Sequence, residues 1–126
     1  MYIYTNKNPI GKGTEDCVIR AVATVLDISW ERAYMELCQM GLMLYDMPNK
    51  DAVLSAYLRK HGFKRYVISN QCADCYSVKD FCIDHPTGIY VLLTSNHAIA
   101  CIDGNYYDTS DSGNEIPMMY WKKERE

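Results

Sequence analysis

Three side chains in this sequence have the types and the order that thiol chemistry needs: Cys17, His97 and Asp108. We predict that Thr14 caps a long apolar helix, which would put Cys17 at the third helical position. The N-terminus of a helix favours a thiolate, because the helix dipole and the unpaired backbone N–H groups attract negative charge. A thiolate beside an imidazole and a carboxylate indicates nucleophilic catalysis by cysteine.

The segment from His97 to Asp108 predicts a β-hairpin that brings the imidazole and the carboxylate together. Asp103 and Gly104 tolerate the positive φ angles of a two-residue type I′ turn. With this turn His97 and Asp108 become diagonal neighbours, about 7–8 Å apart between backbones, on one sheet face. Tyr106 falls on the same face and is predicted to line a cleft. A three-residue loop would shift the register by one and separate the pair.

The elements around these residues predict helices first and a sheet afterwards. Helices are expected after Thr14, over residues 30–40 with Ser29 as cap and Gly41 as end, and over residues 50–61 with Asn49 as cap. Strands are expected over residues 63–69, 89–94, in the hairpin and over 117–121, with a short helix over 78–83. This order predicts an α+β fold with a mainly antiparallel sheet and a central buried helix that begins at the cysteine.

Composition restricts the other classes of function. The 126 residues, 48% hydrophobic and 23% charged, predict a single globular domain over residues 1–126. A formal charge of −3 disfavours nucleic acid as a partner. No apolar stretch approaches the ~18 residues of a membrane span, and the first residues lack the blocks of a signal peptide. We therefore expect a cytoplasmic protein that does not bind membranes.

Two motifs stand out around the cysteine and the hairpin. They read Asn8-Pro9-x-Gly-x-x-x-x-Asp16-Cys17-x-x-Arg20-Ala21, followed by Ser29-Trp30, and His97…Asp-Gly-x-Tyr-Tyr-Asp108-Thr109-x-Asp111-Ser112. With these motifs the chain resembles small stand-alone proteins of bacteriophages and prophages in the papain-like cysteine peptidase superfamily. The resemblance covers residues 6 to 121. It implies a minimal papain-like fold with Cys17 as nucleophile, His97 as general base and Asp108 as orienting acid.

The resemblance also implies an activity: hydrolysis or acyl transfer at a peptide, isopeptide or related amide bond, without a cofactor. The substrate would be a peptide or protein. If the gene belongs to a phage, the substrate could be a host protein and the protein would act in the host cytoplasm. Papain and the bacteriocin-processing peptidases have a Gln six residues before the cysteine as an oxyanion donor, whereas this sequence has Gly11. Asn8 and Asn6 are the replacement candidates beside the Cys17 N–H, and Asn96 is a candidate for lining the cleft.

A second group of residues suggests zinc. Cys72-x-x-Cys75 and Cys82-x-x-His85 place four potential ligands within fourteen residues. The six-residue gap between the pairs differs from common zinc fingers and ribbons, and Cys82 falls on a helix face expected to enter the core. Buried or loop thiols are therefore the default interpretation, and a zinc site is the alternative.

Two other interpretations stay open. Cys17 is also compatible with an ordinary small residue of a buried helix, and His97 with a strand end bonded to a neighbouring carbonyl. The same fold would also serve as a non-catalytic binding module, such as a phage inhibitor of a host protein or a captor of a small signalling molecule. The absence of a Gln six residues before Cys17 is the reason to consider a binding module.

Overall fold

The structure, a computed structural model, describes residues 1–69 and 76–124. Their elements are, in order, β1 (Tyr2–Tyr4), α1 (Cys17–Leu26), α2 (Trp30–Leu44), α3 (Asp51–Lys60), β2 (Phe63–Val67), α4 (Val78–Asp84), β3 (Ile89–Leu93), β4 (Ala98–Ile102), β5 (Asn105–Asp108) and β6 (Met119–Lys123). The strands form one mixed sheet in the order β1-β5-β4-β3-β6-β2. The pairing of β1 with β5 is parallel, and the other pairings of the described strands are antiparallel. The predicted α+β class is confirmed.

The sheet is covered on both faces, and its strands alternate between the two cores. Val91 and Leu93 of β3 pack into the core formed with α1, α2 and α3. Tyr90 and Leu92 of the same strand pack into the second core, which contains Phe81 of α4. Such alternation follows from the two-residue repeat of a strand. Within the described residues, no helix has the length and apolarity needed to cross a bilayer.

Helix α1 lies between the sheet and α2, and none of its residues is exposed. Its sequence explains this position, because Ala21, Val22, Ala23 and Val25 give it apolar surface on several sides. The first residue of this central helix is Cys17.

The start of α1 differs from the sequence prediction. Thr14 does not cap the helix; its carbonyl instead accepts a hydrogen bond from the Asp16 N–H, and Asp16 occupies the N-cap position. The Asp16 side chain makes no capping bond, because its carboxylate is engaged with other side chains. Cys17 is consequently the first helical residue rather than the third, which brings its thiol closer to the positive end of the helix dipole.

The ends of several other elements also differ from the sequence prediction. Helix α2 continues through Gly41 to Leu44, and a Cβ at Gly41 would lie 2.7 Å from the Asp46 carbonyl oxygen. The glycine is thus needed for the close return of the chain, not to end the helix. Lys50 rather than Asn49 is the N-cap residue of α3. The predicted last strand is shifted to β6, and the short parallel strand β1 was not predicted.

Candidate active site

The hairpin formed by β4 and β5 has the turn and the register that the sequence predicts. Asp103 and Gly104 have φ angles of 51° and 79°, both positive as a type I′ turn requires. Ile102 pairs with Asn105, directly across the turn. The Asp103 side chain also accepts a hydrogen bond of 3.0 Å from the Gly88 N–H, which anchors the turn to the preceding segment.

The hairpin brings His97 and Asp108 into direct contact, with 2.6 Å between Nε2 and Oδ2. The carboxylate is 3% exposed and accepts three further hydrogen bonds. The donors are Arg20 Nη1 at 3.1 Å, the Ser112 hydroxyl at 2.9 Å and the Thr109 N–H at 2.7 Å. Burial alone would raise the pKa of Asp108, but the bond to His97, its charge, and the bonds from Ser112 and Thr109 lower that pKa to about 2. Asp108 is therefore ionised at neutral pH.

The imidazole of His97 lies between an acid and a thiol. The hydrogen bond to Asp108, followed by the interaction with Cys17, raises the pKa of His97 to about 10 although burial acts in the opposite direction. Because Nε2 is bonded to Asp108, Nδ1 is the ring nitrogen left to face the thiol. The ring is therefore an imidazolium at neutral pH.

The Cys17 thiol interacts with the His97 side chain and with the backbone of Ala98. Burial would raise the pKa of this thiol, but these two interactions and the charges of His97 and Arg20 together hold the pKa below its ordinary value. The opposite shifts of Cys17 and His97 favour a thiolate–imidazolium pair. This pair is the reactive form of a cysteine nucleophile.

Arg20 connects the nucleophile's helix to the acid on β5. Its Nε bonds Asp16 Oδ1 at 2.8 Å and its Nη1 bonds Asp108 Oδ1 at 3.1 Å. Asp16 is 4% exposed and also accepts a bond of 2.9 Å from Trp30 Nε1. Asp16 and Arg20 are four residues apart, a spacing that lets two side chains pair on a helix, whereas the bond from Arg20 to Asp108 was not predicted. One signal was present: Cys17 and Arg20 are three residues apart and so share a helix face.

The thiol opens onto a cavity of about 490 Å³. The cavity is lined by residues from the start of α1, the start of α3 and the loop between β3 and β4: Thr14, Glu15, Cys17, Val18, Arg20, Asn49, Asp51, Leu93, Thr94, Ser95, Asn96, His97 and Ala98. Asn96 is thus where the sequence prediction puts it. Thr14, Asn49 and Asp51 were not predicted as lining residues; Asn49 and Asp51 reach the cavity only in the folded chain, where the start of α3 borders it.

The two predicted oxyanion donors lie elsewhere. The Asn8 side chain donates from Nδ2 to Asp16 at 3.3 Å, and its Oδ1 accepts from the N–H groups of Ile10 and Lys12. Asn6 Oδ1 accepts from the Asn8 N–H at 3.0 Å. Neither asparagine lines the cavity of about 490 Å³. Both side chains hold the loop in front of α1, so their assignment as oxyanion donors is corrected.

The start of α1 supplies backbone donors instead. The Asp16 side chain makes no hydrogen bond to the first-turn N–H groups of α1. These groups point along the helix axis toward its N-terminus, where the Cys17 thiol lies. The Cys17 N–H is the one that belongs to the same residue as the sulfur. Together with the helix dipole, it gives the cavity a region that stabilises negative charge.

Tyr106 is not part of this cavity. It pairs with Cys101, is 2% exposed, and lies in the core beneath α4 with its hydroxyl bonded to Asp111 at 2.5 Å. The expectation that Tyr106 lines the cleft is therefore corrected. It failed because His97 precedes β4 and does not follow the alternation of the strand, so the site forms at the strand ends and not on the face that carries Tyr106.

Of the four residues of the zinc alternative, Cys82 and His85 belong to the part of the chain that the structure describes. Cys72 and Cys75 lie outside the described residues. Cys82 Sγ lies 3.2 Å from Cys101 Sγ, and His85 Nδ1 is 2.8 Å from the Phe81 carbonyl oxygen. Across residues 1–69 and 76–124, no three His, Cys, Asp or Glu side chains are grouped so that they could hold a metal ion.

No protein-family model, curated protein or solved structure matches this chain significantly. A thiolate, a hydrogen-bonded imidazolium, a buried carboxylate and free helix N–H groups next to an open cavity are the components of acyl transfer through a thioester.

Proposed function

We propose that this chain is a papain-like cysteine hydrolase or acyl-transfer enzyme that acts on a peptide, isopeptide or related amide bond. The observation that carries the proposal is that Cys17 and His97 line the same open cavity, where their interaction lowers the pKa of the thiol and raises that of the imidazole, while His97 Nε2 lies 2.6 Å from Asp108 Oδ2. The nucleophile at the start of a central helix, with the base and the acid on an antiparallel hairpin, is also the arrangement that the papain-like resemblance implies.

The reaction follows from the protonation states. The Cys17 thiolate attacks the carbonyl carbon, and the carbonyl electron pair moves onto oxygen, where the Cys17 N–H and the helix dipole stabilise the charge. His97 then gives its proton to the leaving amine as the C–N bond breaks, which leaves a thioester on the sulfur. Water or another nucleophile, deprotonated by His97, attacks the thioester and releases the thiolate. Asp108 keeps the imidazole oriented throughout.

The test compares Cys17→Ala with Cys38→Ala, which changes a half-buried cysteine on α2 away from the cavity. Wild type and both variants would be incubated with peptide and protein mixtures that include lysine-linked isopeptides, and new termini would be counted by mass spectrometry. We expect products from wild type and Cys38→Ala and only background from Cys17→Ala. Products formed equally by Cys17→Ala would refute the proposal.

A binding module is the second candidate, and one observation favours it. Position 11 carries no side-chain donor, and the structure commits Asn8 and Asn6 to the loop before α1. A missing donor of this kind costs about 10²–10³ in rate. If a partner captured by wild type binds Cys17→Ala equally well and the biological effect of the protein survives this substitution, binding alone is sufficient.

A further inference from the structure

Two buried thiols outside the candidate active site face each other across the second core. Cys82 belongs to α4 and Cys101 to β4, and their sulfurs are 3.2 Å apart. Both residues are almost completely buried, at 3% and 0% exposure. A disulfide requires about 2.05 Å between sulfurs, so an approach of roughly 1.2 Å would join them.

The two elements hold the thiols in place. Helix α4 begins with a capping box between Ser77 and Asp80, and its Val78 and Phe81 are fully buried. Strand β4 is bonded to β3 on one side and to β5 on the other. Because neither element is free to swing away, the thiols stay close to each other. This lowers the entropic cost of joining them relative to two thiols on mobile segments.

One of the thiols borders the surface. Cys82 lines a pocket of about 370 Å³ that also contains Lys79 and Asp111, whereas Cys101 is not among its lining residues. The hydrogen bond with Cys101 lowers the pKa of the Cys82 thiol, although burial raises it. The carboxylate of Asp111 is already bonded to the Tyr106 hydroxyl and the Gly113 N–H. Cys82 is thus the sulfur that a small oxidant reaches first, and Cys101 lies behind it.

We propose that Cys82 and Cys101 are a modification site: a dithiol that a peroxide-class oxidant converts into an intramolecular disulfide between α4 and β4. The Cys82 thiol gives up its proton and its sulfur attacks one peroxide oxygen; the O–O bond breaks, the departing hydroxide takes up that proton, and a sulfenic acid and water form. The Cys101 sulfur then attacks the sulfenic sulfur, and its thiol proton goes to the sulfenic hydroxyl, which leaves as a second water. In balance, two thiols and one hydrogen peroxide give one disulfide and two waters. A low-molecular-weight thiol reverses the step by exchange.

The disulfide would have a physical consequence for the fold. It closes a loop of about 20 residues, and such a cross-link restricts the unfolded chain. We expect the oxidised protein to melt roughly 5–15 °C above the reduced one. This inference does not depend on the hydrolase proposal, because neither Cys17 nor its cavity takes part.

The experiment treats the purified full chain with hydrogen peroxide, blocks remaining thiols with an alkylating reagent, and maps peptides by mass spectrometry with and without reductant. Cys101→Ala is the test variant and Cys38→Ala the matched control. Cys82→Ala is a second test variant in case Cys101→Ala does not fold. The melting temperature of each protein is measured before and after oxidation.

We expect a peptide pair that joins Cys82 to Cys101, two hydrogens lighter than the reduced peptides, in wild type and Cys38→Ala. The rise in melting temperature should accompany this pair and be absent from Cys101→Ala and Cys82→Ala. Recovery of Cys82 and Cys101 as alkylated thiols, under conditions that fully oxidise Cys17, would overturn the proposal. So would a cross-linked pair that uses either cysteine with a different partner.

Discussion

Asp108 is the residue on which the geometry of the candidate active site depends most. Its carboxylate receives hydrogen bonds from the imidazole of His97, the guanidinium of Arg20, the hydroxyl of Ser112 and the Thr109 N–H. Because these donors come from α1, from the residue before β4 and from the chain after β5, one side chain fixes the relative positions of three segments. The raised pKa of His97 is the electrostatic result of the same contacts.

The variant Asp108→Asn tests this role of the acid. An amide cannot hold His97 as an imidazolium, so the pKa of His97 falls and the thiolate of Cys17 loses its counterion. We expect the alkylation rate of Cys17 by iodoacetamide at pH 6.5 to drop by about 10-fold or more, with its pH profile shifted upward. Mass spectrometry of the alkylated peptide measures the rate.

Asp111→Asn is the control for this change, since Asp111 bonds Tyr106 and Gly113 and not the imidazole. Its pH profile should match that of wild type. An Asp108→Asn profile that also matches wild type, in a protein that is still folded, would show that His97 does not depend on Asp108.

At the scale of elements, α1 and the β4–β5 hairpin form one unit around Arg20. The guanidinium lies between Asp16 at the start of the helix and Asp108 at the end of β5, with 14% of its side chain exposed. Two nearly buried carboxylates share this guanidinium. Removing it would leave Asp16 without its ion pair and Asp108 with the His97 imidazolium as its remaining ion pair, which is more costly than losing a surface ion pair.

We therefore expect Arg20→Met to lower the free energy of unfolding by about 3–5 kcal/mol. Arg32→Met is the matched control, because Arg32 pairs with Glu36 four residues along α2 and is 61% exposed. The free energy of unfolding of Arg32→Met should be lower than that of wild type by about 0–1 kcal/mol. Urea unfolding followed by circular dichroism measures both values. Equal losses in the two variants would contradict a structural role for the buried contact.

For the molecule as a whole, stability should depend on pH through His97 and Asp108. The pKa of His97 is raised from 6.5 to about 10, so its stabilising contribution is complete below pH 6.5 and is lost as the pH rises toward 10. The pKa of Asp108 is lowered from 3.8 to about 2, so its contribution is present above pH 3.8 and is lost on acidification toward pH 2.

The contribution of His97 is isolated by comparing Cys17→Ala with the double variant Cys17→Ala, His97→Gln. Both proteins lack the thiol, so its titration does not enter the comparison. Urea unfolding at pH 5.5 and pH 9.5 measures the difference in stability between the two proteins. We expect the protein that keeps His97 to be the more stable at pH 5.5, and the difference to shrink at pH 9.5. A difference independent of pH would mean that His97 has the same pKa in the folded and unfolded chain.

The sequence predicts those features that are encoded by neighbouring residues. The turn at Asp103 and Gly104 and the register of its hairpin follow from local backbone preferences, and they bring the residue before β4 near the end of β5, where His97 contacts Asp108. The features that it misses are long-range. The parallel strand β1, the bond from Arg20 to Asp108 and the contribution of Asn49 to the cavity each depend on segments that meet only in the folded chain.

The predicted start of α1 and the predicted end of α2 were wrong for the same reason. Tertiary contacts, and not the local residue type, determine where these helices begin and end. Thr14 has the residue type of a helix cap, but the buried bonds of Asp16 determine where α1 begins. Gly41 has the type of a helix end, but the returning chain at Asp46 requires its missing side chain. Propensity is a weak guide at positions where other segments approach closely.

The sheet order also determines when the site can form during synthesis. Strand β1 adds to β5, which lies about a hundred residues later in the chain, and α1 packs mainly on β4. Contacts of such long sequence separation form late and slowly. On the ribosome, α1 would emerge long before the hairpin that supplies its base and acid. We expect the nascent chain to carry an unactivated thiol until synthesis has passed Asp108.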